Sequence, residues 1–331
     1  MTRQAIPSLK ITTIGGGSGQ YALLSGLKDL DGIAITAVVS MVDSGGSTGR
    51  LRDELGILPP GDVLKCTLAL SPFQDSARRL LQKRFTRDRR LKGHNAGNML
   101  LTMLSRYTGS FPSGVAALSE ILDVKGTIYP VTTDQATLVA ELTDGTRVYG
   151  EHAIDVPRGH QREKIKNVFL VPHHNDQTRV YPPVVEAIET SDYLILGPGD
   201  LFTSIIPNLI VPGVKEAILN SKARLIYIIN IMTKFGETHT FKGSDFLKHL
   251  EQFTQRRIDI AIYNSHRPNH NLAALYAEQK SEVVEVTPED DFWMHRKLVT
   301  SDLLEPSDHI IRHDPKKLSR LLSDLFCAEA S

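Results

Sequence analysis

The chain has no net charge, very little cysteine and no long hydrophobic segment, and each of these shortages excludes a class of protein. Its 38 lysines and arginines are matched by 38 aspartates and glutamates, which argues against a nucleic-acid partner that needs a basic surface. No segment approaches the roughly 18 apolar residues of a membrane span, and residues 1–10 contain no apolar run of signal-peptide length. We therefore expect a cytoplasmic protein without a membrane span.

The two cysteines, Cys66 and Cys327, lie far apart in apolar helical patterns. Neither has the spacing of a metal or redox motif, so we expect two free thiols in a reducing compartment. The sequence also lacks the Gly-x-Ser-x-Gly nucleophile elbow, any zinc-type spacing and the kinase motifs. We accordingly predict no metal-ligand cluster. With 41% apolar and 23% charged residues over 331 positions, the composition is that of an ordinary globular protein.

Strand and helix patterns alternate through most of the chain. Short apolar or β-branched runs predict strands, and they lie at 10–14, 33–42, 168–171, 193–196, 225–231, 258–263, 283–286 and 309–311. Apolar residues at helical spacing predict helices at 21–30, 63–70, 75–85, 95–107, 112–122, 183–189, 213–220, 244–254, 272–279 and 315–326. This alternation predicts an α/β fold with a doubly wound, mostly parallel, Rossmann-like sheet.

Residues 125–165 have a different pattern, which is typical of antiparallel strands. Residues alternate in strand fashion at 127–131, 136–142 and 147–154, and Thr143-Asp144-Gly145 has the composition of a hairpin turn. We therefore predict a single domain over 9–325 with an antiparallel β-hairpin insertion at 125–165.

The first candidate site is Gly15-Gly16-Gly17-Ser18-Gly19, between the first strand and a helix. Glycine lets backbone approach a ligand closely, and the N-terminus of the following helix offers unpaired N–H groups and partial positive charge. The run lacks both the full dinucleotide fingerprint and the Walker lysine, because Gln20 occupies the lysine position. Four glycines in five residues exceed what a tight turn requires, so we predict a phosphate-binding loop.

Other segments rich in glycine and hydroxyl groups follow later strands, where ligands of open parallel sheets bind. Asp43 ends the second strand and is placed to meet a ribose hydroxyl, a metal or a substrate hydroxyl; the alternative is a flexible loop in which Asp43 caps a helix. The hydroxyls and guanidinium that follow suit phosphate oxygens, and the candidate residues there are Ser44, Gly45, Gly46, Ser47, Thr48 and Arg50. Candidate binding residues further along the chain are Asn95, Asn98, Gly197, Gly199, Thr203, Ser204, Asn208, Asn230 and Thr233.

Taken together, the motifs resemble those of the CofD-like family over residues 9–325. The segments that carry the resemblance are Gly15-Gly16-Gly17-Ser18-Gly19, residues 43–52, Leu58-Pro59-Pro60-Gly61-Asp62, Gly97-Asn98, Gly197-Pro198-Gly199, residues 203–208 and Gly236-Glu237-Thr238. The family includes 2-phospho-L-lactate transferases and bacterial gluconeogenesis factors, and residues 44–52 and 59–62 look like the gluconeogenesis-factor branch. That branch implies a UDP-sugar-binding regulator of carbon flux into cell-wall precursors and of cell shape. We further expect a homo-oligomer and a metabolic-enzyme partner.

The transferase branch is the alternative. It implies an enzyme that moves a phospholactyl-type group from a guanosine diphosphate carrier to a deazaflavin with magnesium, and Asp43 would then activate the acceptor hydroxyl. Both branches usually have two adjacent acids at the end of the second strand, whereas this chain has Asp43-Ser44. The missing carboxylate weighs against metal-assisted transfer, since Mg²⁺ binds through carboxylates and phosphates. A third interpretation, an NAD(P)-dependent oxidoreductase, is disfavoured by the glycine spacing.

Overall fold

The computed structural model describes residues 9–87, 91–157, 162–294 and 296–330. These residues form ten strands, which are β1 (Leu9–Gly15), β2 (Ile33–Val39), β3 (Thr127–Pro130), β4 (Ala136–Leu142), β5 (Arg147–Tyr149), β6 (Ile165–Pro172), β7 (Tyr193–Leu196), β8 (Arg224–Ile228), β9 (Ile260–Asn264) and β10 (Lys297–Ser301). Seven of them build one sheet in the order β10-β9-β8-β7-β1-β2-β3, and every neighbouring pair is parallel. The predicted mostly parallel α/β fold is confirmed.

Helices cover this sheet. They are α1 (Gly17–Leu27), α2 (Gly46–Leu55), α3 (Gly61–Leu70), α4 (Gln74–Leu81), α5 (Ala96–Tyr107), α6 (Phe111–Ile121), α7 (Glu151–Asp155), α8 (Pro182–Glu189), α9 (Ile206–Leu209), α10 (Val214–Asn220), α11 (Gly243–Thr254), α12 (His270–Glu278) and α13 (Pro315–Ala330). All four residues of β7 are buried, as are the last four of β8. Such continuous burial is expected of central parallel strands packed on both faces.

The strand order reverses direction between β1 and β7. β1 pairs with β2 on one side and with β7 on the other, so that Ile14 is opposite both Val38 and Leu196. In an open parallel sheet, the crevice outside the carboxyl ends at such a reversal is the usual ligand site. The loops that follow β1 and β7 both leave the sheet at this crevice.

A small antiparallel sheet, in the order β5-β4-β6, extends from the main one. The hairpin between β4 and β5 has the predicted turn, in which the backbone N–H of Thr146 donates to Asp144 Oδ1 (2.8 Å). The expectation that 127–131 would pair with these strands was wrong, because β3 lies parallel to β2 in the main sheet. The strand predicted at 147–154 ends at Tyr149, because Gly150 has φ +89° and is the N-cap residue of α7.

Four further elements differ from the sequence-based expectation. The predicted strands at 283–286 and 309–311 are not strands in the structure, whereas β10 was not predicted, because it is a half-exposed five-residue edge strand. Helix α2 was expected to be a loop because glycine lowers helix propensity. Gly49 is nevertheless required inside it, since a Cβ there would lie 2.1 Å from the Ser44 carbonyl oxygen.

Among the described helices, none is by itself long and apolar enough to cross a membrane. One bent pair, Leu201–Leu209 with Val214–Asn220, meets the criteria of length and composition only.

Candidate functional site

A cleft of about 630 Å³ opens at the carboxyl ends of β1, β7 and β8. Its walls come from the loops after these three strands, from the end of α7, and from the segment before α13. The lining residues from the glycine loops are Gly16, Gly17, Ser18, Gly19, Pro198, Gly199, Asp200 and Ser204. The rest of the lining includes Asn230, Ile231, Met232, Thr233, Lys234, Phe235, Tyr276, Ile311, Arg312 and His313.

The N-terminus of α1 points its first turn into this cleft. The helix begins at Gly17, no described side chain caps it, and its first turn contains no acidic residue. Its leading N–H groups and the positive end of its dipole are therefore available to an anion. Gly17 has φ +67° and is half-buried, while Ser18 is exposed, so these two residues present the backbone to the cleft.

The other glycines of this loop have packing roles. A Cβ at Gly19 would lie 2.2 Å from the Pro198 carbonyl oxygen, and one at Gly16 would lie 2.7 Å from Asp62 Oδ2. Gly15 is buried at the end of β1. The backbones of the two loops therefore touch, which holds the cleft floor in place.

Asp43 lies beside a second carboxylate at the edge of the first glycine loop. Its Oδ1 accepts a hydrogen bond from the backbone N–H of Gly45 (2.9 Å), but α2 has Gly45 as N-cap without a side-chain cap, so Asp43 is not the helix cap. Burial and then the charge of Asp62 raise the pKa of Asp43 above its ordinary value. Lys65 forms an ion pair with Asp62 (2.8 Å). Burial by itself lowers the pKa of Lys65, but the charges of Asp62 and Asp43 outweigh this effect, so the pKa is raised above its ordinary value.

Several predicted binding residues lie away from the cleft and join α2 to α5. Asn98 Nδ2 donates to Ser47 Oγ (3.3 Å) and Thr48 Oγ1 (3.4 Å), and Asn95 Oδ1 caps α5 by accepting from the Asn98 N–H (2.7 Å). Arg50 donates to the carbonyl of Lys92 (2.8 Å). Gly45 and Gly46 begin the same helix, α2, and none of these residues lines the cleft.

Some of the predicted binding residues after β7 and β8 line the cleft, and others are buried in packing contacts. Asn230 lines the cleft and pairs with the backbone of Gly199, donating from Nδ2 to its carbonyl (2.9 Å) and accepting from its N–H (3.4 Å). Asn208 is buried and donates to the Gly15 carbonyl (3.2 Å). Thr203 is buried against Glu237.

Three further predicted residues complete the group. Gly197 precedes the cleft loop with φ +71°, and Ser204 and Thr233 line the cleft. The hydroxyl of Thr233 accepts from the backbone N–H of Glu282 (2.9 Å).

Sequence reasoning missed an ion-pair cluster centred on Lys234. The Lys234 ammonium pairs with Asp155, with Asp200 (2.7 Å) and with Glu237 (3.3 Å). Burial and then the charge of Asp200 raise the pKa of Glu237 to about 8, although Lys234 opposes that shift. Only Lys234 and Glu237 are close in the sequence, so no spacing could have indicated the cluster.

Part of the cleft lining is apolar. Ile231, Leu272 and Ile311 form a small buried cluster that Met232, Tyr276 and Leu304 extend. The Tyr276 hydroxyl accepts a hydrogen bond from the backbone N–H of Ile311 (3.2 Å). The cleft lining thus combines the N-terminus of α1, the carboxylates Asp155 and Asp200, and the apolar side chains of Ile231, Met232 and Ile311.

The fold and the cleft define a Rossmann-like α/β protein with a candidate site, the cleft, at the topological switch point of its sheet. More narrowly, the chain belongs to the CofD family, since the family model described as 2-phospho-L-lactate transferase CofD matches residues 11–304. This finding confirms the resemblance that the motifs indicated.

Curated relatives match along nearly the whole chain. A Thermotoga maritima relative is 39% identical over 320 residues, which cover 95% of this chain and 98% of the relative. A Bacillus subtilis protein named gluconeogenesis factor is 37% identical over 318 residues, which cover 96% of this chain and 98% of that protein. A crystal structure of a Bacillus halodurans protein has a TM-score of 0.88 at 36% identity, and the match covers 96% of this chain and 99% of that one.

Proposed function

We propose that this protein is a gluconeogenesis factor that binds a UDP-sugar in the cytoplasm and regulates carbon flux into cell-wall precursors and cell shape. The observation that carries the proposal is the uncapped N-terminus of α1 at the switch point, which lines one cleft together with the apolar side chains of Ile231, Met232 and Ile311. Relatives that bear the name gluconeogenesis factor support a role in carbon metabolism.

The three regions of the cleft suit the three parts of such a ligand. The backbone around Gly17 and Ser18 would hold the diphosphate, since helix N-termini bind phosphate. The apolar wall around Tyr276 would bury the base. Asp43 and Asp62 do not line the cleft itself, but Asp62 Oδ2 lies next to it, 2.7 Å from a Cβ built at Gly16. Sugar and ribose hydroxyls would donate to this pair of carboxylates.

A transferase of the 2-phospho-L-lactate type is the second candidate, and the Asp43–Asp62 pair favours it. A carboxylate with a raised pKa is better suited to accept a proton from an attacking hydroxyl. These two carboxylates and a ligand diphosphate would fit Mg²⁺, which binds through one or two carboxylates plus phosphates. Ser44, which replaces the second family acid, accepts from the His152 N–H (3.0 Å) and therefore faces α7.

Calorimetry with UDP-N-acetylglucosamine, UDP-glucose and GDP, each with and without Mg²⁺, tests the proposal. We expect both UDP-sugars to bind more tightly than GDP, without conversion of the ligand. Equal or tighter binding of GDP, or magnesium-dependent turnover of a nucleotide-diphospho substrate, would establish the transferase candidate instead.

We also propose that the protein is a homo-oligomer with a metabolic-enzyme partner. Met103 and Tyr107, one turn apart on α5, are 52% and 86% exposed, and together they offer an apolar contact that a second copy of the chain would cover. Light scattering of the purified chain, compared with a Tyr107→Asp variant, tests self-association. A monomeric parent protein would exclude it.

A further inference from the structure

One buried hydrogen-bond acceptor in the cleft wall is not used by the protein. His313 is only 5% exposed and lines the cleft beside Arg312 and Ile311. Its Nε2 has no hydrogen-bond partner among the described residues. Buried polar atoms are nearly always paired, so one that is not requires an explanation.

The protonation state of this imidazole follows from its surroundings. Burial lowers the pKa of His313 to about 4, against a smaller opposing effect of a hydrogen bond to the Ile229 backbone. The ring is therefore neutral at physiological pH, with a single N–H. Because Nε2 is unpaired, the bond to Ile229 uses Nδ1 as the donor, and Nε2 carries a free lone pair.

Three neighbouring polar side chains of this wall already have partners. Asn230 pairs with Gly199, Tyr276 accepts from Ile311, and Arg312 is paired with Glu305 (2.9 Å). His313 Nε2 differs from them in that only a ligand or a water could satisfy it.

We propose that His313 is a specificity-determining residue that accepts a hydrogen bond from a ring N–H of the bound base, which is N3–H when the base is uracil. This inference rests on the proposed function. A neutral acceptor repels phosphate oxygens, which are themselves acceptors, so the diphosphate does not bind at this end. The apolar neighbours Ile231, Ile311 and Tyr276 suit a flat base, and a site built to bond an N–H strongly rejects an analogue that lacks it.

Binding of three nucleotides distinguishes a hydrogen bond to the base N–H from a simple fit of shape. UDP carries the N3–H, 3-methyl-UDP lacks it, and 5-methyl-UDP has the same added methyl group but keeps the N–H. We expect the protein to bind 3-methyl-UDP at least about tenfold more weakly than UDP, the equivalent of one hydrogen bond. We expect 5-methyl-UDP to bind within about threefold of UDP.

The His313→Phe variant keeps a planar ring but has no acceptor. It should bind UDP about as weakly as the parent binds 3-methyl-UDP, and it should no longer distinguish the two nucleotides. Thermal melting of the variant without ligand establishes that it is folded.

Nitrogen NMR of histidine-labelled parent protein needs no variant. UDP should shift the unprotonated Nε2 resonance of His313, whereas 3-methyl-UDP should leave it in place. If UDP and 3-methyl-UDP bind equally, or UDP leaves Nε2 unchanged because the nitrogen bonds only water, the inference is overturned while the proposed function stands. If no uridine nucleotide binds, the proposed function fails and this inference fails with it.

Discussion

Gly17 and Gly19 are two positions apart in one loop, yet a side chain would have different effects at each. Gly17 needs its left-handed backbone, with φ +67°, and space remains around it, since the nearest atom to an added Cβ is Ser204 Oγ at 3.5 Å. Gly19 has ordinary helical backbone, but an added Cβ would collide with the Pro198 carbonyl. The first glycine therefore keeps the cleft open, and the second allows the loops to pack.

The Gly17→Val substitution should abolish binding of any diphosphate ligand and leave the protein folded. A branched side chain would enter the phosphate seat, while the strained backbone should cost only ~1–3 kcal/mol. Melting curves with and without UDP-N-acetylglucosamine measure both effects, and we expect a cooperative transition that the ligand no longer raises.

Gly32→Val is the matched control for that experiment. Gly32 has φ +74° and open space around it, and it lies in the turn before β2, away from the cleft. This variant should lose similar stability but keep the ligand response. If Gly17→Val still responds to ligand as the parent does, the phosphate lies elsewhere, and the loop from Gly197 to Ser204 becomes the better candidate.

Asp43→Asn tests the carboxylate at the end of β2. If Asp43 contacts a ligand hydroxyl, the loss of a charged hydrogen bond should weaken binding by about 1–3 kcal/mol. The fold should be retained, because burial and Asp62 already disfavour the charge on Asp43. Calorimetry should show unchanged binding for Asp53→Asn, an exposed position on α2. An Asp43→Asn variant with normal affinity would leave Asp43 with a structural role only, through its hydrogen bonds to Gly45 and Thr48.

At the scale of elements, α2 is held against α5 by the buried side chains of Ser47, His94 and Asn98. Ser47 Oγ lies 3.0 Å from His94 Nδ1, and Asn98 donates to the hydroxyls of Ser47 and Thr48. Helix α2 has little apolar surface and contains two glycines, Gly46 at its first position and Gly49 inside it. Its position therefore depends on these polar contacts more than on hydrophobic packing.

Asn98→Ala separates a packing role from a binding role. The substitution leaves buried hydroxyls without their donor, so the free energy of unfolding should fall by about 1–3 kcal/mol. Affinity for a UDP-sugar should stay within about twofold, because Asn98 does not line the cleft. A stable variant with a large loss of affinity would restore Asn98 as a ligand residue.

Helix α7, which follows β5 of the small sheet, contacts the loop after β2 through Glu151. The carboxylate of Glu151 accepts from the Ser44 N–H (3.3 Å), and burial followed by the charge of Asp43 raises the pKa of Glu151 to about 8. Between about pH 4.5, the unfolded value, and pH 8, the unfolded chain releases this proton while the folded protein retains it. Stability from this group is therefore present at low pH and lost as pH rises through that window.

Glu151→Gln should remove this dependence. One pKa unit corresponds to about 1.4 kcal/mol, so for a shift from about 4.5 to about 8 we expect the variant to gain roughly 3–4 kcal/mol over the parent at pH 8 relative to pH 5. Urea unfolding at the two pH values measures the difference. Parallel pH profiles of parent and variant would show that Glu151 titrates normally.

At the scale of the whole molecule, we propose that residues 9–325 form one folding unit. The last helix, α13, packs against α1, and a Cβ at Gly26 of α1 would lie 2.2 Å from the Pro315 carbonyl. The two ends of the chain therefore depend on each other. Calorimetric unfolding should give one cooperative transition, and a resolved second transition would instead indicate that the small sheet unfolds separately.

Local patterns were sufficient for most of the main sheet. β1, β7, β8 and β9 were predicted within two or three residues of their observed bounds, because buried parallel strands are short apolar runs that end at glycine or polar residues. The prediction failed where tertiary contacts override local preference. Helix α2 forms despite its glycines, and Val283 makes only an isolated bridge to Met232.

The sequence by itself determined that glycine loops follow the strands of a parallel sheet, and hence that a cleft lies at their carboxyl ends, because this follows from strand polarity alone. Only the tertiary structure decided which side chains reach the cleft. The Asn98 side chain packs between α2 and α5 and does not reach the cleft. Lys234 forms an ion pair with Asp155, 79 positions away, because α7 folds back toward the end of β8. Proximity over such separations depends on how whole elements pack, and no local pattern of residues encodes it.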